Sequence, residues 1–257
     1  MSARQISISC VSSPKNCYNN LGETLIENDY KVLAFDVFGT VVNWYTSVRR
    51  EIETVLPGVD ADAFTLDWRD GYGPAMQRVA SGELSWTLID DLHRMILDGL
   101  LDKYGISSLS EDEKSELNKV WHRLDPWPDS VAGLTRLKSR YNICTLSNGN
   151  LGLLADMAKH AGLPWDLILS AEVFRQYKPH PDTYTGVASV FDVPPAAVML
   201  VAAHHNDLAA ARDCGLASAY IERPSEHGPS KPKDVSPRAE NTYHAGSIID
   251  LASQLGC

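Results

Sequence analysis

The chain has 257 residues, 44% of them hydrophobic, which suits one large domain or a core with an inserted subdomain. A formal net charge of −10 argues against nucleic acid or an anionic membrane as partner, since both select basic patches. Five cysteines (Cys10, Cys17, Cys144, Cys214 and Cys257) are scattered and odd in number, with no C-x-x-C spacing; this predicts reduced thiols in a cytoplasmic protein rather than a disulfide framework or a zinc site.

Residues 1–29 read as a polar N-terminal extension without the apolar core of a signal peptide, and no later stretch is apolar for long enough to span a bilayer. After Lys31 the apolar run Val32 to Phe35 ends in a carboxylate, Asp36, which is the pattern of a strand buried in a parallel sheet. From there to Leu124 the texture is helical. Ser47 to Val55, Ala61 to Ala80, Ser85 to Lys103 and Ser110 to Arg123 place apolar residues three or four apart, with breaks at Pro57-Gly58, Ser81-Gly82 and Gly105. Strand and helix then alternate: helix 130–139, strand 141–146, helix 151–161, a short strand 167–170, helix 181–191, strand 198–202, helix 208–214, strand 217–221 and helix 247–255. This predicts a doubly wound, Rossmann-like parallel sheet formed by residues 30–42 and 125–257, with residues 43–124 inserted as a helical cap. The Pro-, Ser- and Lys-rich segment 223–238 reads as an exposed, mobile loop.

Open α/β sheets carry their chemistry at the carboxyl ends of their strands. Four such ends bear polar residues here: Asp36 and Thr40; Ser147-Asn148-Gly149; Lys178-Pro179; and His204-His205-Asn206-Asp207. A carboxylate becomes a nucleophile when it is held ionised, oriented and desolvated. Lys178 supplies a cation that lowers the pKa of such a group, Asp207 holds Lys178 or caps its own helix, and the hydroxyls of Thr40 and Ser147 fix the nucleophile or a substrate carboxylate.

In order, type and spacing these segments resemble the four motifs of the haloacid dehalogenase superfamily over roughly residues 31–255. Phosphatases of that superfamily carry a second Asp two residues after the first, and this chain has Phe38 there. They also carry one or two acids in the fourth motif; here the two positions before His204 are Ala202 and Ala203, so one acid is lost and only Asp207 survives. The closer resemblance is to the type II 2-haloacid dehalogenases, which share an aromatic residue at the Phe38 position, a Trp-Arg pair matched by Trp68-Arg69, the Ser-Asn of Ser147 and Asn148, and Lys-Pro followed by a Tyr, matched by Lys178-Pro179 and Tyr184. Two positions depart from that branch: Asn206 replaces an aromatic of the halide cradle, and His204 stands where the branch has Asn.

The resemblance implies a hydrolase in which Asp36 displaces halide from a small 2-halo carboxylate and the resulting ester is cleaved by water. Asp36, Lys178, His204 and Asp207 are the implied catalytic residues, with His204 a candidate base. Phe38, Thr40, Arg69, Ser147, Asn148 and Tyr184 are the implied substrate residues, Arg69 and Asn148 receiving the halide. No cofactor and no metal are expected, since Phe38 and Ala203 remove the acids a magnesium ion would need. The expected partner is a small anionic substrate, with room for a homodimer. Two rival readings stand beside this one: a magnesium-dependent phosphatase, and a biosynthetic or binding protein that kept the fold and changed the pocket.

Overall fold

The computed structural model describes residues 29–257, together with residues 17–18 and 24–25. The expected N-terminal extension lies almost wholly outside the described residues; within it, Cys17–Tyr18 (β1) and Thr24–Leu25 (β2) pair antiparallel. Residues 31–257 form a unit of their own.

That unit is built on a five-stranded, all-parallel sheet. The first of its strands, Val32–Phe35 (β3), is buried at every residue because both sheet faces are covered, and this is why it reads as an unbroken apolar run. The inserted helices follow: Trp44–Val55 (α1), Ala61–Asp70 (α2), Tyr72–Ala80 (α3), Ile89–Lys103 (α4) and Glu111–Asn118 (α5), ending in a 3-10 turn at Lys119–His122. Asn43 and Asp60 cap α1 and α2 through their side chains, and Ser110 with Glu113 closes a capping box on α5. The remainder alternates: Ser130–Lys138 (α6), Asn142–Thr145 (β4), Leu151–Ala161 (α7), Ala171–Phe174 (α8), Pro181–Val190 (α9), Val198–Ala202 (β5), His205–Asp213 (α10), Ala217–Ile221 (β6), Tyr243–Ala245 (β7) and Ile248–Gln254 (α11). The strand order is β4-β3-β5-β6-β7.

Register decides where the chemistry gathers. Phe35 lies opposite Thr145 on one side and Val201 on the other. Asp36, Ser147 and His204 therefore leave the sheet at one edge, where the order turns about β3 in the manner of open α/β folds.

Several expectations need correction. The helix expected over 61–80 is two helices divided at Gly71, where a Cβ would sit 2.6 Å from Ile96 Cγ2. Residues 167–170 make only isolated bridges, Cys144 to Leu167 and Ser147 to Ser170. The Thr145 hydroxyl takes their place in the ladder, donating to Leu169 O at 2.6 Å and accepting from Leu169 N at 3.0 Å. Strand β7 was missed because three residues, Tyr-His-Ala, carry no apolar run. The 223–238 loop is anchored at its start rather than free: Arg223 is buried and donates to Thr40 O and Asp129, and Glu226 is 1% exposed. It behaves as a strap.

Three tryptophans tie the inserted helices to one another. Trp68 packs edge-on to Trp121 at 5.6 Å and donates its indole N–H to His93 O, while Trp44 stacks on Trp121. At the periphery, Asp90 accepts from Asn150 at 2.8 Å, and His122 bridges Asp90 and Asp156. No helix among the described residues is long and apolar enough to cross a membrane.

Candidate active site

Asp36 follows β3 directly and is 7% exposed. The turn after it places Gly39 at φ +83°, a left-handed conformation that favours glycine, and brings Thr40 back toward the carboxylate. Thr40 Oγ1 donates to Asp36 Oδ2 at 2.7 Å and accepts from Ala203 N at 2.9 Å. The hydroxyl's proton and one of its two lone pairs are thus engaged behind the carboxylate, an arrangement that orients Asp36.

Lys178 Nζ donates to Asp36 Oδ1 at 2.9 Å and to Asp207 Oδ2 at 2.5 Å. Asp207 also accepts from the Tyr184 hydroxyl at 2.7 Å. Tyr184 is fully buried and commits its only O–H to Asp207. It therefore holds the acid that holds the lysine, and it also reaches the cavity wall. Asp207 lies inside the first turn of α10, and its side chain serves Lys178 and Tyr184 rather than capping.

His204 sits between two carboxylates. Its Nδ1 lies 3.0 Å from Asp36 Oδ2 and its Nε2 2.8 Å from Glu226 Oε1. Glu226 in turn accepts from Lys233 at 2.5 Å, and Lys233 also reaches Ala203 O. The result is a row of alternating sign: Asp207, Lys178, Asp36, His204, Glu226, Lys233. His205 turns away and stacks on Tyr220 at 4.1 Å.

This row sets the protonation states. Burial alone raises the pKa of Asp36, but the Lys178 charge and then the hydrogen bond from His204 outweigh it and hold the carboxyl well below the usual carboxylate range. Burial disfavours a charged His204, but the Glu226 charge and the hydrogen bond to Asp36 prevail and raise its pKa to about 9. Lys178 is likewise raised against its burial by Asp207 and Asp36, and Glu226 is depressed against its burial by His204 and Lys233. At neutral pH, then, Asp36 is a carboxylate and His204 an imidazolium donating from both ring nitrogens.

A cavity of about 330 Å³ opens onto Asp36. Nine of the ten predicted site residues line it, and Thr40 is the exception. Phe38 lies edge-on to Trp121. The Arg69 guanidinium stacks 4.4 Å from the Tyr72 ring, a cation–π contact that fixes it on the cavity wall. Asn148 accepts from Lys178 N at 2.8 Å and directs its amide toward Met76 Sδ, while the buried Ser147 hydroxyl accepts from Gly149 N.

Four participants escaped the sequence reading. Tyr72 and Met76 follow Arg69 at i+3 and i+7, a helical spacing that could have flagged them. Glu226 and Lys233 had no such signal, being one acid and one base in a polar loop.

The chemistry available is nucleophilic. Asp36 Oδ2 has both in-plane lone pairs engaged, by Thr40 and His204, whereas Oδ1 carries Lys178 alone and retains one for attack.

Comparison with known proteins agrees with this geometry. The family described as haloacid dehalogenase-like hydrolase matches residues 30–215. A solved structure of a defluorinating L-2-haloacid dehalogenase is 43% identical, with a TM-score of 0.86 over 92% of this chain and 97% of that one. A second solved L-2-haloacid dehalogenase is 42% identical, with a TM-score of 0.84 over 88% and 99%. The (S)-2-haloacid dehalogenase of Xanthobacter autotrophicus is 29% identical over 205 residues, 76% of either chain. With the family match covering well over half the sequence and both solved relatives matched almost end to end, this chain belongs to the haloacid dehalogenase-like hydrolases, in the branch of the type II 2-haloacid dehalogenases.

Proposed function

We propose that the protein hydrolyses the carbon–halogen bond of small 2-haloalkanoic acids, giving 2-hydroxy acids and halide. The observation that carries this reading is the state of Asp36: buried, ionised, fixed at Oδ2 and free at Oδ1, facing a small cavity whose wall holds the Arg69 guanidinium and whose position 38 is Phe rather than a second acid. Its relatives' names, one of them a defluorinating enzyme, support the substrate class.

In this mechanism Asp36 Oδ1 attacks the α-carbon from the side opposite the halogen. The carbon–halogen bond breaks with its electron pair, inverting the centre, and the halide leaves toward Arg69 and Asn148. Ser147 holds the substrate carboxylate. Esterification removes the charge of Asp36, so His204 loses one of the two anions that hold its proton and releases that proton to solvent. The neutral imidazole then takes a proton from water as the water oxygen bonds to Asp36 Cγ. The bond from Cγ to the ester oxygen breaks, the leaving alkoxide recovers a proton from His204, and Asp36 returns to a carboxylate as its new proton re-forms the imidazolium. The balance is one water consumed, with one hydroxy acid, one halide and one proton formed. His204 is thus a base only in the ester state, not in the resting enzyme. Residues 43–124 act as the cap that carries Arg69 and Tyr72 over the sheet edge. The mechanism calls for no metal, because Phe38 and Ala203 stand where magnesium-dependent phosphatases carry acids. The setting is the cytoplasm, where Cys144, Cys214 and Cys257 stay as thiols.

The test is a halide-release screen over 2-chloro and 2-bromo acids and fluoroacetate, with p-nitrophenyl phosphate plus magnesium in parallel. Halide release with formation of the inverted hydroxy acid is expected. Phosphate release alone would overturn the proposal.

A further inference from the structure

The strap contributes more than packing. Glu226 is 1% exposed, and its carboxylate crosses directly over Gly39, where a Cβ would lie only 2.1 Å from Oε1. Oε1 meets His204 Nε2 at 2.8 Å and receives a long contact of 3.4 Å from Trp44 Nε1; Oε2 meets Lys233 at 2.5 Å. Lys233 is itself returned to the sheet by its bond to Ala203 O, and its backbone N–H donates to Pro224 O at 3.0 Å, closing the strap on itself. A buried carboxylate is costly unless paired, and this one is paired on both oxygens, with one partner being the residue beside the nucleophile.

We propose that the buried pair Glu226–Lys233 is a positioning device for the hydrolytic half of the reaction, orienting His204 and setting how readily it gives up and takes a proton. The inference rests on Asp36 as nucleophile and His204 as base. Glu226 touches no substrate, since Nε2 lies on the far side of the ring from Asp36. It fixes the ring so that Nδ1 faces Asp36, and it keeps an N–H on Nε2, which leaves Nδ1 as the nitrogen that accepts from water once Asp36 is esterified.

The groups around His204 divide cleanly. Asp36 and Glu226 face it directly; Lys178 and Lys233 stand behind those carboxylates, Asp207 stands behind Lys178, and His227 neighbours Glu226. Ester formation silences Asp36, and Glu226 then becomes the anion that governs His204. Lys233 attenuates Glu226. Removing the two partners must therefore act on His204 in opposite directions. A basic imidazole is needed, so ester hydrolysis speeds up as pH rises through the His204 pKa. Glu226→Gln removes an anion and shifts that limb to lower pH. Lys233→Met frees the anion and shifts it to higher pH.

The experiment measures rapid-mix halide bursts and the decay of ester-modified protein against pH, alongside an NMR titration of the His204 imidazole in free enzyme. Both variants should give a burst of about one halide per site at the wild-type rate, which also counts folded sites. On the plateau above the limb, ester decay should slow about tenfold or more in Glu226→Gln, because its less basic imidazole is the weaker base, within the range for disabling a positioned base. Its hydrolysis limb and imidazole titration should both move down, and those of Lys233→Met should both move up. Unchanged limbs, or limbs moving in the same direction, overturn the proposal. A wild-type enzyme that gives no burst overturns the parent reading and with it the role in hydrolysis, while the NMR shifts still report whether Glu226 and Lys233 govern His204.

Discussion

At the scale of single residues, the site divides one carboxylate between two tasks. In the proposed reaction Asp36 Oδ2 is the anchor and Oδ1 the nucleophile, and single turnover in oxygen-18 water should therefore place label first in Asp36 and only later in product. Label found directly in product would mean attack by water on the substrate itself. Arg69 is held by ring stacking rather than by a carboxylate partner among the described residues, which leaves its N–H groups to meet a departing anion. Charge that develops in the transition state raises kcat when it is met by a preorganised donor. Arg69→Ala should cut kcat by about 10²-fold or more, on the scale of losing one such donor; a change confined to KM would make Arg69 a simple anchor for substrate. His204→Ala should still release about one halide per site and then stall with ester visible by intact mass, because attack by Asp36 needs no proton transfer and ester hydrolysis does. Sustained turnover in that variant would remove His204 from the chemistry.

Elements decide how much of this could be read in advance. Asp36, Ser147, Lys178 and Asp207 were legible because each ends or follows an apolar strand or a strong turn signal, and strand ends are where an α/β sheet exposes side chains. Arg69 was legible only through its Trp neighbour, and the structure gives the reason for that pairing: Trp68 is fully buried against Trp121 and donates to His93 O, so α2 is clamped and the next residue is delivered to the cavity wall. Trp68→Ala should cost about 3–5 kcal/mol in stability, measured by urea unfolding, as for other large-to-small core changes. It should also depress kcat in the molecules that remain folded. The strap was illegible. Its sequence is that of a surface loop, and the information that buries Glu226 resides in Gly39, Arg223 and Lys233, which no local pattern joins. Gly39→Ala tests that link, since a Cβ there both strains φ +83° and displaces the Glu226 carboxylate. The expected result is slow ester decay with a retained burst.

For the molecule as a whole, the alternating row of charges makes stability depend on pH in a definable window. His204 is raised from 6.5 to about 9 in the folded state, so its contribution is fully present below pH 6.5 and is lost as pH rises toward and through 9. Asp36 has the opposite sense: its depressed pKa contributes above the unfolded value of 3.8 and is lost only in strong acid. A Tm series from pH 6 to pH 10 should therefore fall on the alkaline side, and fall less in His204→Ala; parallel slopes would mean that His204 carries no such linkage. Exhaustive chelation should leave dehalogenation unchanged, since Phe38 and Ala203 remove acids that a magnesium ion would need. Activity lost with chelator and restored by magnesium would favour the phosphatase reading.

The partners of Asp36 come from far along the chain: Lys178 lies 142 residues away and His204 168, and Glu226 follows still later. During synthesis the nucleophile leaves the ribosome first and the groups that ionise, aim and regenerate it leave last. Contacts of such separation form late, after the long intervening loops have closed. A nascent or truncated chain thus carries a carboxylate with no counter-ion, no orienting imidazole and no closed pocket. On the proposed mechanism, reactivity is then withheld until the C-terminal third has folded.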